Sequence, residues 1–295
     1  MKMKEIKKVL FVVNPISGDV DKNELLEFIE NELKQQDIAL EIYKTNGEND
    51  ISNIKSIVEQ SQFDRVFVAG GDGTIKMVSE ALLSTNVPMV LFPAGSANGF
   101  ALNFDIPENK EAQLDVALFG NIIEVDLIKI NEHYSLHLAD FGVNADLIKN
   151  YDNATLRGKA GYLLQTIPTL MKSNHPYEFE ISSNGERFVL EASVLSIANC
   201  QKYGTGACIN PEGKSNDGKF EIIGFKNLNL IEIVKTFTNQ TTLNPEFATS
   251  TSTTSAKVNC KSPVPFQIDG EYIGELENIE VSILHKAIQL CIASN

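Results

Sequence analysis

The chain has 295 residues, 43% of them hydrophobic and 22% charged, a length that accommodates two ordinary domains and a composition that builds a core rather than a disordered coil. Its formal net charge of −14 lacks the basic footprint of a nucleic-acid binder and leaves the surface as a whole repelled by anionic lipid. Any membrane contact must therefore run through a local patch of suitable charge or apolarity.

The basic start, Met1 to Lys8, leads into a short apolar run, Val9 to Val13, that Asn14-Pro15 stops; this is too short for a signal peptide. No stretch approaches the ~20 apolar residues of a spanning helix. A cytoplasmic protein is expected, with a peripheral position on the inner membrane surface left open. Cys200, Cys208, Cys260 and Cys291 lie far apart without a C-x-x-C pair, so reduced, mostly buried thiols are expected.

Along the first ~125 residues two periods alternate, the pattern of strand–helix–strand units. Lys8–Val13 is a compact apolar strand. Leu25, Leu26, Phe28, Ile29 and Leu33 mark a helical face between Asp21 and Gln36. Ile38–Tyr43 alternates as a strand, and Ile51, Ile54, Ile57 and Val58 mark a second helix. Arg65–Ala69 is a strand ending in Gly70-Gly71, Ile75 to Leu83 a helix, and Pro88–Phe92 a strand ending in Pro93-Ala94-Gly95. Such repetition predicts a parallel sheet covered on both faces.

After about residue 121 the character changes. Ile122–Ile130, Tyr134–Ala139, Tyr177–Ser182, Arg187–Ala198, Lys219–Phe225, Pro265–Ile268, Ile279–Leu284 and Ile288–Ile292 read as strands separated by turns such as Ser183-Asn184-Gly185. Helices are expected at Ala160–Met171 and near Leu230–Thr238. Thr249–Ser255 reads equally as a linker or an exposed strand. The expected organisation is an α/β domain at 1–125 and a mainly antiparallel β domain at 126–295, a sandwich or open barrel. The last residues are left the option of returning to the first domain.

The strongest chemical signal is Gly70-Gly71-Asp72-Gly73-Thr74, placed between a strand and a helix. Glycines let backbone N–H groups approach an anion, and the helix presents its positive end to the same anion. Asp72 cannot favour a phosphate itself; it makes sense holding Mg²⁺ or orienting a water or hydroxyl. Asn14-Pro15-Ile16-Ser17-Gly18 and Pro93-Ala94-Gly95-Ser96-Ala97-Asn98-Gly99 follow two other strands, at the sheet edge where open α/β folds bind ligands. His133 and His137 share a spacing that suits a metal on a helix, but no carboxylate or Cys completes a motif. The 160–171 helix, flanked by Arg157, Lys159 and Lys172, is apolar around much of its circumference; core packing and contact with a lipid are its two readings.

These three loops together resemble the catalytic-domain signature of the diacylglycerol kinase superfamily, which includes bacterial soluble lipid kinases, sphingosine kinases and ceramide kinases. Phe141 to Ala145, Gly161-Tyr162, Asn199, Tyr203-Gly204, Pro211, Asp217-Gly218 and Asp269-Gly270-Glu271 continue the resemblance in order along nearly the whole chain. It implies an N-terminal domain like that of NAD kinase and phosphofructokinase, and a C-terminal β-sandwich. It further implies that Asn14, Pro15, Ile16, Ser17, Gly18, Thr45, Gly70, Gly71, Asp72, Gly73, Thr74, Ile75, Lys76, Ser96 and Asn98 contact ATP. The lipid's hydroxyl is then the acceptor, with Glu271 taking its proton and Asp269 and Asp72 beside the chemistry. Read from residues alone, Asp269-Gly270 is a hairpin turn before it is a catalytic element. A structural Mg²⁺ is implied at Asp217 with the carbonyls of Lys214 and Lys219; Asp217-Gly218 as a plain turn is the alternative.

The chain departs from the family pattern where Ile75-Lys76-Met77 stands for Ile-Asn-Glu, and where Gly99 and Leu102 stand for Asp and Arg. Both changes make the site less charged, which leaves substrate identity open. An NAD kinase-like enzyme and a non-catalytic nucleotide or lipid sensor are the alternatives to a lipid kinase. Oligomeric state, a homodimer included, is not encoded in any motif.

Overall fold

A computed structural model describes residues 5–18, 22–145, 148, 176–204, 206–238 and 242–294. The helix expected at Ala160–Met171 and its flanking cations lie outside the described residues. The chain divides into two compact units, Met1–Val125 with Lys286–Asn295, and Asp126–His285.

The first unit runs β1 (Lys8–Val13), α1 (Lys22–Gln35), β2 (Ala39–Lys44), α2 (Asp50–Gln60), β3 (Arg65–Gly70), α3 (Asp72–Ala81), β4 (Met89–Pro93), α4 (Gly99–Leu102) and α5 (Lys110–Phe119). Its strands are parallel in the order β2-β1-β3-β4. Helix α1 buries Leu25, Leu26, Ile29 and Leu33 on one sheet face, together with Leu114, Val116, Ala117 and Leu118 of α5. Beneath them Phe11, Phe67 and Phe92 stack with centroids 5.3 to 6.0 Å apart. Each fully buried Phe contributes roughly 1.5–3 kcal/mol relative to exposure. Helix α3 packs on β3 and against α2. The order 2-1-3-4 sends the connections from β1 and β3 to opposite sides, which opens a crevice at their carboxyl ends.

Helix α5 was not among the expected elements, because its apolar residues crowd together instead of recurring at helical spacing. Asn109 starts it, its side chain accepting the Ala112 N–H at 2.7 Å.

The second unit is an antiparallel β-sandwich. Its elements are β5 (Asn121–Ile130), which begins in the first unit, β6 (His133–Ser135), β7 (Leu138–Gly142), β8 (Tyr177–Ser183), β9 (Glu186–Ala192), β10 (Val194–Ala198), β11 (Lys202–Tyr203), β12 (Ala207–Cys208), β13 (Phe220–Phe225), α6 (Leu230–Lys235), β14 (Ala248–Thr253), β15 (Ser255–Ile268) and β16 (Glu271–Ile292). From Lys286 onward β16 belongs to the first unit, where Leu290 pairs with Met89 of β4. Strand β7 lies between β10 and β15. Its period of two sends Ala139 and Phe141 into a core with Phe179, Phe220 and Phe266, and Leu138 into a second cluster with Val194, Ile223 and Phe225.

Expected strand boundaries change here, and the open reading of Thr249–Ser255 is settled as strand. Arg187–Ala198 is two strands, broken at Ser193, whose N–H bonds Phe225 and whose carbonyl accepts Val143 N–H. Ile279–Leu284 and Ile288–Ile292 are parts of one strand. The Thr/Ser run is a strand, β14, paired with β13 over Ala248 to Thr253, and Ser255 opens β15.

Candidate active site

The β1, β3 and β4 loops leave adjacent parallel strands at the same end, because the register sets Val13 beside Ala69 and Gly70 beside Pro93. Asn14 N–H bonds Ala69 O at 2.9 Å and Ala94 N–H bonds Gly70 O at 2.8 Å, carrying the ladder one step into each loop. Beyond that the backbones touch. A Cβ on Gly95 would lie 2.4 Å from the Gly71 Cα, and one on Gly18, where φ is +53°, would lie 2.3 Å from the Ala94 carbonyl oxygen. No other residue fits at these two positions without moving a neighbouring loop.

Side chains then lock the loops. Asn14 donates to Thr74 Oγ1 at 3.0 Å and accepts Ile16 N–H at 3.1 Å. Asn98 binds both the N–H and the carbonyl of Gly95. Asp72 accepts Gly99 N–H and Phe100 N–H, one on each oxygen, both at 2.9 Å. Its carboxylate therefore starts helix α4 and ties the β3 loop to the β4 loop, at about 1.5–3 kcal/mol per charged hydrogen bond. Loop shape thus rests on this side chain as well as on the glycines. Lys22, buried at 6% exposure, reaches the carbonyl of Ser17 and, at 3.4 Å, that of Ala94. Sequence reasoning missed it; the available signal was a lysine in the first turn of α1, where an acid is the favoured choice.

Gly71 precedes α3 without a side-chain cap, so no side chain caps the first amides of that helix, at Asp72 and Gly73, the kind of helix start that suits an anion. Gly73 and Ser96 are exposed, as are Pro15 and Ile16, while Ser17 and Thr45 are half-buried. Thr45 N–H continues the β2 ladder onto Val13 O at 2.9 Å. Ile75 is fully buried, with its N–H on Gly71 O at 3.0 Å, and Lys76 is buried at 9% exposure.

In the second unit, Asp269-Gly270 is the two-residue turn of the β15–β16 hairpin, with Ile268 opposite Glu271. Both central residues have positive φ, 51° and 89°, the type I′ geometry that Asp-Gly favours. The hairpin reading and the functional reading meet on one segment. Asp269 is buried and fully engaged: Oδ1 accepts Ser135 Oγ–H and the amides of His137 and Leu138 at 2.9 to 3.1 Å, and Oδ2 accepts Leu136 N–H at 2.8 Å. This makes Asp269 an anchor for the turn. Glu271, the next carboxylate, is exposed.

The 214–219 turn is folded by protein hydrogen bonds. Asp126 accepts Gly218 N–H at 2.7 Å and its own N–H bonds Ser215 O at 2.7 Å; Asp217 accepts Lys219 N–H at 3.1 Å. Asp217 is exposed and is the single carboxylate between Lys214 and Lys219. No group of three or more His, Cys, Asp or Glu gathers among the described residues, at His133 and His137 or elsewhere. With the backbone carbonyls, Asp217 offers an all-oxygen donor set of the kind that suits a largely hydrated Mg²⁺.

Residues 8–130 match the family described as the diacylglycerol kinase catalytic domain, and residues 138–292 match the YegS C-terminal NAD kinase beta sandwich-like domain. The chain belongs to this lipid kinase family. A diacylglycerol kinase of Bacillus subtilis (strain 168) is 26% identical over 280 residues, covering 92% of this chain and 92% of its own. A crystal structure of a diacylglycerol kinase from Bacillus anthracis str. Sterne shares the fold, with a TM-score of 0.77 at 18% identity over 98% of each chain.

This lipid kinase also holds a buried acid that no motif announced. Asp140 on β7 is 1% exposed, and burial pushes its carboxyl up to about 7 against the pull of hydrogen bonds from Asn144 and Gln267. Between about pH 4 and 7 the folded chain thus keeps a proton that the unfolded chain has lost, so stability falls as pH rises through that window.

Two stability measurements follow. Gly95→Ala overpacks the loop contact and should cost about 1–3 kcal/mol in urea unfolding, against under ~0.5 for Ser96→Ala one residue on. Equal midpoints would mean that the loops do not touch. Asp140→Asn should match the wild type near pH 4 and exceed it above pH 7, by up to about 4 kcal/mol, the cost of ionising the buried carboxyl. A pH-independent difference would contradict the raised acidity.

Proposed function

We propose that this lipid kinase transfers the γ-phosphoryl group of ATP to the hydroxyl of a membrane lipid, diacylglycerol or a sphingoid base. The observation that carries the reading is the backbone contact of three glycine-bearing loops around the uncapped start of α3. That arrangement offers amide donors and a helix N-terminus to a polyphosphate, without a side chain in the way. Asn14 to Gly18, Gly70 to Thr74 and Ser96 would line the nucleotide, Thr45 at its margin. Lys22, holding two loop carbonyls, would keep the β1 and β4 loops together when phosphate binds.

The lipid oxygen attacks the γ-phosphorus, the bond to the β,γ-bridging oxygen breaks, and ADP leaves. The hydroxyl proton passes to Glu271, the carboxylate that the Asp269 anchor presents at the start of β16. Mg²⁺ arriving with the nucleotide would neutralise charge on the phosphoryl group. Asp217, with the carbonyls of Lys214 and Lys219, would hold a structural Mg²⁺. Asp72 acts through the β4 loop, so Asp72→Asn would perturb loop shape together with chemistry.

No described helix is long and apolar enough to cross a membrane. An acceptor that stays in the bilayer calls for peripheral contact at its surface, and the net charge of −14 requires that contact to be local.

The test offers labelled ATP and Mg²⁺ to the purified protein with diacylglycerol, sphingosine or ceramide in mixed micelles, and with NAD⁺. Label should enter a lipid; transfer to NAD⁺ alone would overturn the reading, and nucleotide binding without any transfer would make the protein a sensor. Glu271→Gln should lower kcat by about 10²-fold or more, the contribution of general-base catalysis, with KM for ATP nearly unchanged. Full turnover in that variant would remove Glu271 from the chemistry.

A further inference from the structure

Strand β7 presents Leu138 and Asp140 on one face and Ala139 and Phe141 on the other. Across the sheet Asp140 stands between Ser196 of β10 and Gln267 of β15, at 2% and 0% exposure. A buried carboxylate in such a row needs a reason, because an apolar side chain of the same volume would avoid its desolvation.

The hydrogen bonds supply one. Both donors to Asp140 converge on one oxygen: Asn144 Nδ2 at 2.6 Å and Gln267 Nε2 at 2.7 Å reach Oδ2. A side-chain amide has a donor end and an acceptor end, and an acceptor at position 140 decides which way Gln267 faces. With Nε2 drawn toward β7, Oε1 is turned to the hairpin, where it accepts Gly270 N–H at 2.8 Å. Asp269 holds the same turn from its other side.

We propose that Asp140 is a positioning residue for the Asp269-Gly270-Glu271 turn, acting through Gln267, so that an Asp140–Gln267–Gly270 relay sets where the Glu271 carboxylate stands. The catalytic consequence rests on the assignment of Glu271 as proton acceptor; the relay itself does not.

Two readouts separate these. In hydrogen exchange of the intact protein, Asp140→Leu and Gln267→Leu should each speed exchange at Gly270 at least tenfold. Asp140→Asn, which keeps an acceptor oxygen toward Gln267, should restore most of the protection. In the transfer assay, both leucine variants should lose kcat about tenfold or more with KM for ATP unchanged. The double variant should be no worse than either alone, since one chain of contacts is broken once. Asp140→Asn should recover most of that turnover. Unchanged Gly270 exchange in folded Asp140→Leu would overturn the relay, whether or not the enzyme phosphorylates any lipid. Altered exchange with undiminished kcat would overturn its role in turnover. A failure of the functional reading appears separately, as no lipid transfer by the wild type.

Discussion

Two backbones in van der Waals contact set the geometry of the first unit's site. Gly71 follows β3 and Gly95 lies just past β4; a Cβ on Gly95 would lie 2.4 Å from the Gly71 Cα, and one on Gly71 would lie 3.1 Å from the Gly95 Cα. Parallel strands stand ~4.8 Å apart, so loops leaving them normally diverge as side chains fill the space between. Without those side chains the two loops meet main chain against main chain. Gly18 does the same for the β1 loop against Ala94. A site lined by main chain rather than side chain costs little conformational entropy on binding, because its donors are fixed by the sheet before any ligand arrives.

Four aspartates recur in the same structural role around both candidate loops and the hairpin. Asp72 gathers two amides of α4, Asp269 three amides and a hydroxyl of the β6–β7 connection, Asp126 the Gly218 amide, and Asp140 two side-chain amides. An ionised carboxylate is the densest acceptor in the side-chain inventory, with two oxygens able to take several donors and no donor to mismatch. It can therefore pin irregular backbone that neither helix nor ladder satisfies. Asp140 differs in binding side chains instead of backbone, and burial pushes its carboxyl up. That difference also makes it a control point, since what it holds is itself a pivot.

Much of this was legible before any coordinates. The alternation of apolar strand and amphipathic helix through residue 93 announced a parallel sheet, and glycines punctuating three strand ends placed the loops at one edge. Within the site the sequence spoke less clearly. Asp72 and Asp269 were visible as acids, but a carboxylate aimed at a cation and one aimed at backbone amides are spelled alike. Lys22 hides among the charged residues that open α1, and Asp140 within the apolar run Leu138 to Phe141, where one acid reads as a loop edge. The relay from Asp140 joins residues 127 positions apart, and only the β7–β15 register brings them side by side.

The hairpin shows what such anchoring does for the carboxylate that follows it. A carboxylate at the start of a strand takes its direction in part from the backbone that carries it, and here that backbone is held on both sides. A two-residue type I′ turn provides part of this, because its two positive φ angles leave the strands on either side little freedom to shift register. The ladder at Ile268 and Glu271 ends there, however, and the turn amides beyond it need partners of their own. Asp269 holds the connection beneath the turn, and Gln267 holds Gly270 N–H at its tip. With both sides fixed, the first residue of β16 inherits a defined backbone direction from buried groups. The sequence Asp-Gly-Glu thus divides its labour by position: the acid that bends the chain is sealed inside, and the acid that follows it is exposed.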